Sequence, residues 1–393
     1  MTRSQAAGFV LGLGLRSEFE ISANGLLVHL SRIPSGLRYY VGEAARRRRA
    51  VEDCAISVFA GWSYEEITTP TIDYYSLFEQ GMGAEAQTSF RFVDADGGLL
   101  ALRPDVTSSV ARACATLMAE KPRPIRLCYV APVFHQHPRT KAEWRRETTQ
   151  LGCELIGASG IAADIEPLAI LAETLNRLGL ERSYCITINN VEIFNGIAEH
   201  LRLNEDSRER LRAMIDLRDT SGLMELLDGL GVDARERDLF VQVTRLGGKR
   251  SLINQARQVI TNPRSRAALE SLAQTWSAIE ALGLGESFEI DLGDVSGLDY
   301  YTGLLCKVYV RGSGVRAGRG GRYDGLTSKF GRPEAATGFV LDLDELTRVL
   351  EGTEFQIERK PASLVEISLA DTESTFQEAL RRRSENQQVR LMF

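Results

Sequence analysis

G-L-D-Y-Y-T-G at Gly297 to Gly303 and G-G-R-Y-D-G-L at Gly320 to Leu326 enclose the stretch that decides the fold. Between them Leu305 to Val310 alternates as a strand does. A glycine-studded turn then runs through Gly312, Gly314, Gly318, Gly320 and Gly321. Alternation followed by glycines predicts a strand and its hairpin. Tyr300 and Tyr301 stand before the strand and Tyr323 after it, so phenol hydroxyls flank the hairpin at both ends. One such motif alone describes an edge hairpin whose tyrosines pack on a core. Two at this spacing describe a binding site.

Upstream, Ile33 to Arg38 is a turn, and Val51, Cys54, Ala55, Val58 and Phe59 then form the apolar stripe of a helix. Arg46 to Arg49 before it read as a solvated face at a helix start or a protein-interface patch rather than a nucleic-acid site. Gly61 to Pro70 is a turn into a strand ending at proline. Phe90 to Asp94 and Leu99 to Arg103 flank the hairpin signal Asp96-Gly97-Gly98. Arg103-Pro104-Asp105-Val106-Thr107 ends that strand and opens a helix whose spacing runs to Leu117 and Met118. Asp105 or Thr107 either caps this helix or binds a ligand's ammonium group. Ile125 to Val130 and Leu151 to Gly157 are strands separated by a charged loop from Phe134. Gln150 and Glu154 are four apart, so an extended chain points both to one face. They form either a polar ligand site or a solvent-facing strand edge. Asp164 to Leu178 reads as an N-capped helix, and Phe194 to Ile279 as a charged helical stretch broken at Gly229-Leu230-Gly231, Gly247-Gly248 and Asn262-Pro263.

Composition bounds the class. The chain has 393 residues, 44% hydrophobic and 25% charged, enough for two or more domains at roughly 100–200 residues each. A net charge of −6 and a pI of about 5.5 give no overall basic field for a tRNA backbone. Six scattered cysteines without a C-x-x-C pair point to a reducing cytoplasm, with neither disulfides nor a zinc cluster. No window approaches the roughly 18 apolar residues of a membrane span. His135 and His137 are two apart, but no third metal ligand accompanies them, so no metal or cofactor is implied.

The two glycine–tyrosine motifs resemble the signature sequences of histidyl-tRNA synthetase. Ala131 to Gly157 resembles the second class II motif of that family, and the helix, strand and Pro70 resemble the first. The resemblance implies an α+β fold of the class II aminoacyl-tRNA synthetase type: a mixed, mainly antiparallel sheet flanked by helices. It places an N-terminal extension at 1–32 and the core at 33–350, with a helical insertion at about 194–280. A short segment, 351–393, lies where an anticodon-binding domain of nearly one hundred residues would stand. The first motif builds the dimer interface in that family, so a homodimer is expected.

Function turns on which site residues remain. The positions that hold histidine in the family match Asp105, Thr107, Gln150, Glu154, Tyr300, Tyr301 and Tyr323. Carboxylates and an amide suit an ammonium group, and Glu154 with a tyrosine hydroxyl suits imidazole N–H groups. The three positions where the family carries arginines against the α-phosphate of ATP hold His135, Ser296 and Glu345. Loss of one such donor costs on the order of 10²–10³ in rate. The resemblance narrows to the regulatory subunits of short-form ATP phosphoribosyltransferase: histidine-binding, tRNA-blind and non-catalytic. It implies a partnership with the short catalytic subunit in a hetero-octamer and feedback inhibition by histidine, in the cytoplasm, with no tRNA, membrane or cofactor. The alternatives are a histidyl-tRNA synthetase or another synthetase-like amino-acid-binding paralogue.

Overall fold

The computed structural model describes residues 33–137, 145–295, 301–351, 353, 355, 364–368 and 371–392. Residues 1–32, with Ser296 and Tyr300, lie outside them.

α1 (Glu43–Gly61) buries Val51, Ala55, Val58 and Phe59, the stripe legible in the sequence, and β1 (Glu65–Glu66) follows it. Its arginine run is mostly satisfied: Arg47 pairs with Glu43, Arg49 with Glu52, and Arg48 reaches inward to Asp344. A small antiparallel sheet comes next, from β2 (Ile72–Tyr74), β3 (Arg91–Val93) and β4 (Leu99–Leu102), with α2 (Tyr75–Met82) after its first strand. Asp94 and Gly97 close the β3–β4 turn as the D-G-G signal predicts. α3 (Thr107–Ala115) ends sooner than its apolar spacing suggests, and Leu117 beyond it is 88% exposed.

β5 (Ile125–Phe134) and β6 (Glu147–Ile156) pair over ten residues, extending both strands into the segment expected as loop. α4 (Ile161–Arg177) starts at Gly160, so Asp164 lies in its first turn rather than capping it. β7 (Tyr184–Asn190) then leads into α5 (Val191–His200), α6 (Glu205–Asp216), α7 (Thr220–Gly229), α8 (Ala234–Thr244), β8 (Gly247–Gly248), α9 (Ser251–Val259) and α10 (Pro263–Ala281). Five of these helices start on an Asn or Asp whose side chain accepts a backbone N–H: Asn190, Asn204, Asp219, Asp233 and Asn262. Each such cap is worth about 1 kcal/mol, and Pro263 at the first helical position costs no hydrogen bond. The stretch does not pack as one body. α10 and the start of α5 pack on the main core through Ile193, Leu269, Leu272 and Trp276, whereas α6 to α8 close a separate cluster around Leu211, Leu223, Leu227 and Phe240. Gly247-Gly248, expected as a break, pairs with β9 (Phe288–Asp291).

β10 (Leu304–Val310) and β11 (Gly318–Arg322) form the anticipated hairpin. The glycines Gly318, Gly320 and Gly321 lie within β11, however, and not in the turn. α11 (Asp324–Ser328), β12 (Ala336–Asp342) and α12 (Leu343–Val349) follow. β13 (Leu364–Ser368) and β14 (Gln388–Met392) pair in parallel around α13 (Thr372–Ser384). The large sheet has nine strands in the order β1-β5-β6-β12-β11-β10-β7-β9-β8, antiparallel except at β1–β5 and β7–β9. β5 shows why its centre is buried on both faces: Leu127 and Tyr129 enter one core with α2 and α3, while Cys128 enters the other with α1 and α4. No helix among the described residues is long and apolar enough to cross a membrane.

Candidate functional site

The site is built on one transverse row of the sheet. Leu127, Glu154, Gly338, Gly321 and Leu305 stand side by side on β5, β6, β12, β11 and β10. Two of the five are glycines, and each has a steric reason. A Cβ on Gly338 would stand 2.1 Å from Glu154 Oε2, so the carboxylate extends only across a bare backbone. A Cβ on Gly321 would stand 3.0 Å from Tyr301 Cδ1, so that ring lies over β11. Two rows along, a Cβ on Gly152 would run into the Tyr129 ring at 2.3 Å. Glycine inside a strand marks a close approach, and here all three make room for the same cluster.

Glu154 is 2% exposed and takes three hydroxyl donors. Thr107 Oγ1 donates to Oε1 at 2.7 Å, Tyr129 OH donates to Oε1 at 3.1 Å, and Tyr323 OH donates to Oε2. Burial pushes its carboxyl up to about 8; the three hydroxyl bonds pull the other way, and the nearby Asp105 adds to the rise. Asp105 lines the same cavity, but one oxygen is committed: Oδ2 accepts the Ser108 N–H at 2.9 Å and the Ser108 hydroxyl at 3.0 Å. The capping alternative of the sequence is therefore realised, beside the site rather than instead of it.

Five of the seven anticipated residues meet in this cavity: Asp105, Thr107, Glu154, Tyr301 and Tyr323, with Arg319 and Phe339. Tyr300 lies outside the described residues. Gln150 does share a face with Glu154, yet it lines a second, larger cleft, and its strand is central rather than an edge. The first cavity encloses about 10 Å³, the space of one water molecule. It is closed by its own hydrogen bonds. Tyr129 was missed in the sequence; Gly152, between Gln150 and Glu154, was the available signal.

The second cleft encloses about 420 Å³ and shares Arg319 and Val340 with the first. His135 lines it; it is buried and its ring nitrogen stands 3.3 Å from Thr88 Oγ1. Glu345 lines it too. Burial raises its carboxyl, but Arg348, Ser313 and Arg145 outweigh that and hold it below the usual range. Replacement of the motif arginines at 135 and 345 was expected to strip this region of cations. Instead Arg38, Arg145, Arg316, Arg319 and Arg348 surround it. They come from segments far apart in the chain, which motif-by-motif comparison does not join. Asp344, next to Glu345, accepts from Tyr40, Arg48 and the Thr149 N–H, fastening the segment before α1 to the cleft.

A mainly antiparallel sheet with this tyrosine–carboxylate row defines a histidyl-tRNA synthetase-like protein, and the Histidyl-tRNA synthetase family profile matches residues 36–346. Among curated proteins, the ATP phosphoribosyltransferase regulatory subunit of Syntrophotalea carbinolica is 36% identical over 82% of this chain and 75% of its own length. That of Moorella thermoacetica is 34% identical over 80% and 81%. The solved structure of an ATP phosphoribosyltransferase regulatory subunit/histidyl-tRNA synthetase from Bacillus halodurans superposes with a TM-score of 0.80 at 28% identity, covering 92% of this chain and 93% of that one. The chain belongs to the ATP phosphoribosyltransferase regulatory subunit family, on the histidyl-tRNA synthetase fold.

Proposed function

We propose that the chain is the non-catalytic regulatory subunit of a short-form ATP phosphoribosyltransferase. In this reading it activates the catalytic subunit, transmits feedback inhibition by histidine in the first step of histidine biosynthesis, and has no aminoacylation activity of its own. Histidine binds through Asp105, Thr107, Gln150, Glu154, Tyr300, Tyr301 and Tyr323. The observation that carries this reading is the buried Glu154, whose carboxyl keeps capacity for one further donor beyond its three hydroxyls. An imidazole N–H supplies it when Tyr301 or Tyr323 swings aside. Two copies pair through the sheet of β2, β3 and β4, and the dimers assemble with the catalytic subunit into a hetero-octamer. Coupling between sites is then a difference in histidine affinity between two states of the complex.

The test is calorimetry with histidine and related amino acids, together with an ATP–pyrophosphate exchange assay. Histidine should bind and exchange should be absent. Because an imidazole N–H favours the ionised form of Glu154, binding releases the proton that burial retains, and affinity rises with pH towards about 8. Exchange activity from the purified chain would overturn the non-catalytic assignment, and absence of histidine binding would overturn the site. The arginines of the larger cleft favour a second reading, a working synthetase, and the exchange assay separates the two.

A further inference from the structure

β10 carries one charge along its length, and that charge is buried. Lys307 is 3% exposed among Leu305, Cys306 and Val308. It stands two positions along from Leu305, so it shares the face of the sheet that carries Glu154, and it lies opposite Arg319, which lines the Glu154 cavity. Its ammonium forms an ion pair with Asp294, itself buried, and lies 3.7 Å from Asp216 Oδ1 at the end of α6. Thr187, opposite Lys307 on β7, donates to Asp294 Oδ2 at 3.2 Å, and Asn189 Nδ2 donates to the Asp294 carbonyl at 2.9 Å. Apolar residues of similar volume often stabilise a core as well as a buried ion pair does or better, so stability does not account for this one. What it fixes is a position in the chain.

Asp291 to Val295 come directly before Ser296 and the G-L-D-Y-Y-T-G motif. Lys307, Thr187 and Asn189 grip these five residues from the sheet. The α6–α8 body grips them from the other side. Arg218 pairs with Asp291, and its Nη1 donates to the Thr244 carbonyl at 3.3 Å. A Cβ on Gly293 would stand 2.1 Å from that carbonyl oxygen and 2.2 Å from Arg218 Nη1, so the end of α8 closes on bare backbone. Val295 is buried in the cluster of Leu211, Leu223, Leu227 and Phe240, the separate core of α6 to α8. We infer that Lys307 and Asp294 are positioning residues of the Glu154 site: they register Asp291 to Val295 between the sheet and the α6–α8 body, so that histidine bound beside Glu154 and the packing of that body bias one another. They act through the chain and not on the ligand. The inference rests on the histidine reading of that cavity, and the coupling it describes is reciprocal.

Two measurements on the full-length protein test it: calorimetry with histidine, and hydrogen exchange read by mass spectrometry with and without saturating histidine. In the wild type, histidine should slow exchange about threefold or more in peptides from α6 to α8. Lys307→Met with Asp294→Leu replaces the ion pair by apolar side chains and should leave the urea midpoint unchanged or raised. It should nevertheless lose that protection and bind histidine about tenfold more weakly. Arg218→Ala, at a half-exposed side chain whose loss leaves the core intact, should lose the protection as well. Arg257→Ala, at an exposed ion pair between α9 and α10, should change neither measurement. Histidine bound without protection of α6 to α8 in the wild type overturns the inference and leaves the histidine site standing. So does protection that survives in either variant, an equal loss in Arg257→Ala, or a loss of affinity matched by a fall in the urea midpoint, which would mark a merely structural pair. Absence of histidine binding in the wild type overturns the site reading and this inference with it.

Discussion

Glu154 shows how much one side chain's surroundings decide. In water a glutamate loses its proton near 4.5; here burial moves that point to about 8. The sign for stability follows from linkage. Between these two values the folded protein holds a proton that the unfolded chain releases, so stability is full below about 4.5 and drains away as pH rises towards 8. Glu154→Gln keeps the shape without the ionisation. It should therefore stabilise the fold relative to wild type at pH 8.5 and confer no such gain at pH 4.5. Each pKa unit is worth about 1.4 kcal/mol, so the pH-dependent difference should reach a few kcal/mol in urea unfolding. A difference that stays flat with pH would refute this account of Glu154.

At the scale of elements, β11 is tied to α4 by a buried charge cluster. Arg322 Nε donates to Asp164 Oδ1 at 2.9 Å and Nη1 to Asp324 Oδ1 at 3.0 Å, and Arg322 and Asp164 are both buried. Asp324 in turn accepts the Ala336 N–H, so the cluster also fixes the start of β12. Arg322→Met leaves Asp164 charged and alone, which should cost about 3–5 kcal/mol, whereas adding Asp164→Leu should recover a large part. Equal unfolding midpoints for the single and double variants would mean that the pairing is incidental. The same elements show what the sequence could carry. Alternation marked β10, and four-residue spacing put Gln150 and Glu154 on one face, because strand periodicity is local. The glycines of β11 looked like a turn because a strand glycine and a turn glycine differ only in what lies against them. Tyr129 lay in an apolar run, and only Gly152 on the neighbouring strand shows that its ring reaches Glu154. The start of α4 was misplaced because Asp164, a good capping residue by type, is held by Arg322 more than 150 positions away.

For the molecule as a whole, the small sheet carries the most exposed apolar surface near the anticipated dimer segment. Tyr74 is opposite Leu100, which is opposite Phe92, and Ile72 is opposite Leu102, so these five share one face. The other face carries Asp73, Ala101 and Arg91, with Ala101 buried and Asp73 paired to Arg112, and ends in the exposed pair Val93 and Leu99. Tyr74 remains 60% exposed. Patches of this kind mark protein interfaces. Tyr74→Glu with Phe92→Glu should shift the chain from dimer to monomer in sedimentation velocity while leaving the circular dichroism spectrum unchanged; an unaltered sedimentation coefficient would place the dimer contact elsewhere. The stripe of α1, the β10–β11 hairpin and five of the seven residues expected around Glu154 were legible from local pattern and motif. The arginine-lined cleft was not, because its charges gather only when segments separated by some three hundred positions meet.

The self-closed cavity around Glu154 has a kinetic corollary. If the phenol of Tyr323 must leave the carboxylate before an imidazole can reach it, entry waits on a motion of the protein rather than on collision. The observed association rate should then level off as histidine concentration increases, and the plateau would measure how often that tyrosine lets go.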